Sequence, residues 1–94
     1  MKATLPLARV GNARVFFSRL GYHVERNGSF SRRAAEGQFP RYHVYAQIVG
    51  DTMRVDLHLD AKLVSYVGTN MHAGEYDGPL VETEIQRIQA AVVG

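Results

Sequence analysis

Side chains able to handle protons, phosphates or metal ions gather between positions 41 and 77 of this 94-residue chain. His43, His58 and His72 supply imidazoles, Asp60, Glu75 and Asp77 carboxylates, Arg41 and Arg54 guanidinium groups, and Tyr45 an aromatic face. The chain has no cysteine, so a metal would be held by nitrogen and oxygen alone, the donor set of Zn, Mn or Fe in thiolate-free sites. Two imidazoles and a carboxylate leave coordination positions for water, which a divalent ion activates for hydrolysis. Without an ion, paired histidines beside an arginine are the minimum for acid-base cleavage of a phosphodiester. The expected metal ligands are therefore His43, His58, Asp60 and His72, with His58 and His72 as the catalytic pair. Arg41, His43, Tyr45, Arg54, Asp60 and Glu75 are the expected ligand-binding residues.

The elements that must position these groups follow from alternation. Tyr42, Val44, Ala46 and Ile48 alternate with polar neighbours, as do Met53, Val55, Leu57 and Leu59, so both runs read as half-buried strands. Between them Gly50-Asp51 suits a two-residue type II′ turn, because glycine takes the positive φ without steric cost. That turn sets Ile48 against Met53, Ala46 against Val55, Val44 against Leu57 and Tyr42 against Leu59 on the apolar face. On the polar face it sets Gln47 against Arg54, Tyr45 against Asp56, His43 against His58 and Arg41 against Asp60. A slip of one residue would destroy this match. The competing reading of the site is plainer: a cross-strand histidine pair that only stacks, loop glycines that serve turns, and Asp77 as a helix cap.

Ninety-four residues make one domain, expected to span 1–94, with room for a single core. Hydrophobic content of 46% with 21% charged residues is ordinary for a globular fold, and no apolar run is long enough to span a bilayer or to serve as a signal peptide, so a cytoplasmic protein is expected. Charge divides unevenly: positions 1–45 carry eight bases, seven of them arginine, against two acids, and the remainder carry three bases against seven acids. An arginine-rich half suits bidentate phosphate contact; the plainer reading is a basic half that simply faces solvent or docks against the acidic half.

Asn12 is placed to cap a helix through Phe16, Phe17 and Leu20, with Gly21 just past its end. A short helical turn before Gly11, a first strand over 22–26 and a turn at Asn27-Gly28 are expected, and 29–37 reads as a second short strand or a basic loop, with the loop preferred. Leu63 to Val67 reads as a short strand or extended segment. Asp77 or Gly78 caps a final helix with Pro79 at its first position, Glu82 and Glu84 in its early turns, and Val81, Ile85, Ile88 and Val92 at helical spacing. The whole predicts an α+β fold of α-β-β-β-α order: an antiparallel sheet of three to four strands with two helices on its apolar face.

That order resembles the double-stranded RNA-binding domain and the HicA-type mRNA interferase toxins, through Leu20-Gly21-Tyr22 and Arg26-Asn27-Gly28-Ser29-Phe30. The resemblance implies RNA as a ligand, with Phe30 standing where the toxins carry their catalytic histidine. His58-Leu59-Asp60 and the segment Gly74 to Gly78 are similar to motifs of small uncharacterised bacterial proteins, a likeness that implies no function. Together these readings lead to a nucleic-acid or phosphate-ligand binding domain using the His/Arg/Tyr sheet face. The alternative is a metal-dependent or His-based hydrolase centred on His43, His58, Asp60 and His72. Partners expected are RNA or DNA, or a second copy of the chain through a sheet edge or the apolar C-terminal Ala90-Ala91-Val92-Val93, and no membrane.

Overall fold

A computed structural model describes residues 1–34, 40–60 and 78–93, and the backbone of 74–75. One antiparallel sheet organises them. Its strands are β1 (Lys2–Pro6), β2 (His23–Val24), β3 (Phe30–Arg33), β4 (Arg41–Val49), β5 (Thr52–Asp60) and β6 (Gly74–Glu75). They lie in the order β1-β5-β4-β3-β2, with β6 pairing β5 beyond the end of β1. Helices α1 (Leu7–Val10), α2 (Ala13–Arg19) and α3 (Pro79–Ala90) contribute to the core on one face. The α+β class holds, with more strands than the sequence suggested.

The β4–β5 hairpin has the expected register at all nine pairs, from Val49 opposite Thr52 to Arg41 opposite Asp60. Gly50 has φ 62° and Asp51 has no positive φ, the signature of the type II′ turn. Val44, Met53, Val55 and Leu57 are fully buried, whereas Ile48 at the tip stays exposed. Above the strands, Phe17 stacks on Phe30 at 4.7 Å and meets Phe16 and Tyr22 edge to face, so the two adjacent phenylalanines are core anchors. Val81, Ile85 and Ile88 of α3 complete the layer. Asn12 caps α2 by accepting from the Val15 N–H at 3.0 Å. α3 starts from Gly78 with no side-chain cap, and Asp77 lies outside the described residues. No helix among the described residues is long and apolar enough to cross a membrane.

Three expectations are corrected. The first ten residues hold a strand before their helical turn, because Ala3 and Leu5 pair inward against Val55 and Met53. Only two inward positions and a terminal proline made that strand hard to see. Over 29–37 the preferred loop gives way to the alternative of a short strand, since the segment contains β3, an interior strand of the sheet. Its alternation was disguised because Arg32 takes an inward position, lying over the Tyr42 ring at 5.3 Å with its guanidinium on Glu84. Arg32 therefore belongs to the helix-covered side of the sheet. The expected strand at 22–26 is reduced to His23–Val24, and the segment 63–67 lies outside the described residues.

Gly21 follows α2 with φ 95°, a conformation that a Cβ-bearing residue adopts only at a cost. A methyl group there would also stand 3.2 Å from Arg32 Cδ, in a side chain held by its ion pair. Gly21→Ala is expected to lower stability by about 1–2 kcal/mol, read as an earlier urea midpoint with an unchanged slope. A midpoint at or above that of the native chain would contradict it.

Candidate metal centre

His43, Tyr45, Asp56, His58 and Asp60 project from the sheet face that the helices leave open, since alternate residues of a strand share a face. Register makes His43 and His58 neighbours, and their ring centroids lie 5.2 Å apart. Asp60, two residues beyond His58, turns its carboxylate between them. Oδ2 lies 3.0 Å from His43 Nδ1, and Oδ1 lies 2.9 Å from His58 Nε2. One donor atom from each of the three residues falls within 4.8 Å of the others. Both imidazoles are 12% exposed and the carboxylate 26%, so the cluster is shielded yet open on one side.

The surroundings are built from the same alternation. Tyr45 stacks on His43 at 4.7 Å and on His58 at 5.7 Å, and the residue remains 46% exposed. On one flank Lys2, Thr4, Tyr45, Gln47, Arg54 and Asp56 line a groove of about 540 Å³. On the other, His23, Glu25, Ser31, Arg33 and Arg41 line a depression of about 460 Å³. Arg33 and Arg41 are directly opposed across strands, and Arg41 Nη1 reaches Glu25 at 3.4 Å. Like charges in that relation repel, so the pair favours an anion between or beside them.

Of the expected site residues, Arg41, His43, Tyr45, Arg54, His58 and Asp60 share this face. His72 lies outside the described residues, as does the Glu75 side chain; the Gly74–Glu75 backbone pairs with Leu59 and Asp60. Ser29 was not anticipated. Its hydroxyl lies 2.7 Å from His43 Nε2, so Ser29, His43 and Asp60 form a hydroxyl-imidazole-carboxylate series. Ser29 is only 4% exposed and donates its proton to Asn27 Oδ1, which removes it as a nucleophile. Its one sequence signal was Asn27-Gly28, where an asparagine two residues upstream can bond the Ser29 backbone.

Glu84 was also missed, having been read as an early-turn acid of the last helix. It is buried against Tyr22, Arg32 and Arg87 on the opposite side of the sheet and takes no part in the site. The chain matches no known protein family, curated protein or solved structure.

Proposed function

We propose that the chain is a divalent-metal-binding domain, with the ion held by His43, His58 and Asp60 and directed at a phosphate-bearing ligand on the same sheet face. The observation that carries this reading is the convergence of three donor atoms from three residues on one partly shielded point. Two imidazole nitrogens and a carboxylate fit a borderline ion such as zinc or manganese, and three protein ligands leave room for water or substrate. When bound, such an ion supplies Lewis-acid polarisation and a more acidic water. The chain's own residues do the rest. Tyr45 braces both rings by stacking, and Arg33 and Arg41 offer donors to an anionic group beside the carboxylate.

Calorimetric titration with zinc and manganese, paired with elemental analysis of protein purified without chelator, tests the reading. One equivalent is expected to bind. Absence of binding by either ion would end it.

A metal-free nucleic-acid platform is the second reading, favoured by the exposed Tyr45 ring beside Lys2 and Arg54. Asp56, Asp60 and Glu25 on the same face offset those cations, so the salt dependence of any such binding should be shallow. Fluorescence titration of short RNA and DNA at two salt concentrations decides it, and no binding at low salt removes it.

A further inference from the structure

His43 presents Nδ1, not Nε2, to the carboxylate, and two residues outside the expected set account for the choice. We propose that Asn27 and Ser29 are positioning residues that hold a proton on His43 Nε2 and so make Nδ1 a cation-binding atom. The purpose of this relay rests on the metal reading above, while its geometry does not.

The inference comes from counting protons. Asn27 Oδ1 accepts the Ser29 backbone N–H at 3.0 Å, which orients the amide, because its NH₂ group in that place would face another donor. Ser29 Oγ lies 2.5 Å from the same oxygen. Two oxygens so close need a proton between them, and the serine hydroxyl has only one to give. Oγ therefore offers His43 Nε2 only lone pairs across 2.7 Å, and Nε2 must be the donor.

A neutral imidazole protonated on Nε2 has a bare lone pair on Nδ1. That lone pair faces Asp60 Oδ2 at 3.0 Å, and an ionised carboxylate is acceptor-only. Two acceptors at this distance require a cation between them, either a proton or a metal ion. Burial of Ser29 keeps water from competing for Nε2, so the relay is shielded where it acts. Outer hydrogen bonds of this kind commonly set which nitrogen of a histidine ligates.

Imidazole-nitrogen NMR on native chain, Ser29→Ala and Asn27→Ala, metal-free and cadmium-loaded, tests the relay. Ser29→Ala removes one hydroxyl. Asn27→Ala keeps that hydroxyl and frees its proton to move to His43. In the native chain His43 should carry its proton on Nε2, in contact with Ser29, with cadmium coupled to Nδ1. In both variants a second tautomer should appear, and zinc affinity should fall about 10- to 100-fold. A native ring protonated on Nδ1 alone, or a ring unchanged in both variants, overturns the proposal. Native protein that takes up no metal yet keeps the Nε2 proton would overturn the metal reading and support the relay.

Discussion

Glu84→Ala is expected to cost about 3–5 kcal/mol, a large part of what holds a domain of this size together. The Glu84 side chain is 3% exposed. Its Oε2 accepts from the Tyr22 hydroxyl at 2.5 Å and Arg87 Nη2 at 2.9 Å, and Oε1 accepts from Arg87 Nε at 2.8 Å and Arg32 Nη2 at 3.3 Å. Burial pushes the carboxyl pKa up. Hydrogen bonds from Arg87, Tyr22 and Arg32 outweigh that push and hold it below the usual carboxylate value. The Tyr22 hydroxyl is driven far upward, by its own burial first and then by Glu84, so it stays a donor throughout the physiological range.

Alanine would strand that hydroxyl and leave two guanidinium groups without their anion. Arg32 and Arg87 are 31% and 39% exposed and can turn to water, which keeps the loss nearer the lower figure.

The same carboxyl gives stability a direction in pH. Its folded value is depressed, so the unfolded chain takes up the proton first as pH falls. The contribution is complete above the ordinary carboxylate range and disappears as pH drops through the depressed value. Urea midpoints measured from about pH 7 to about pH 3 should fall more steeply for the native chain than for Glu84→Gln. Parallel curves for the two proteins would show that Glu84 does not carry this linkage.

His58→Ala is expected to weaken zinc binding on the order of 100-fold or more, since it removes a ligand outright. Folding should change little by comparison, because His58 lies on the open face outside the apolar cluster. His23 is the control. It lies in the same cross-strand row, through Ser31 and His43, but is exposed and outside the donor cluster. His23→Ala should bind zinc as the native chain does. Equal losses in the two variants would place the ion elsewhere.

What could be read without coordinates was whatever depends on neighbours in sequence. A glycine-first turn and a side-chain period of two determine the β4–β5 register, and with it the adjacency of His43 and His58 and the position of Asp60 beside them. Helix starts and stops at Asn12, Gly21, Gly78 and Pro79 were legible for the same reason, as caps and breakers act within one turn. The strand at Phe30 could not be told from a loop because Arg32 breaks its alternation, and the partner that makes an inward arginine tolerable, Glu84, lies 52 residues away.

Only the tertiary structure decided that Lys2–Pro6 joins the edge of β5, that Glu84 is a buried hub rather than a dipole-facing acid, and that Ser29 meets His43. Each of these depends on which faces of distant segments come together as apolar surface leaves water. Local backbone geometry limits that outcome but does not select it, whereas a two-residue turn leaves the strands it joins a single register.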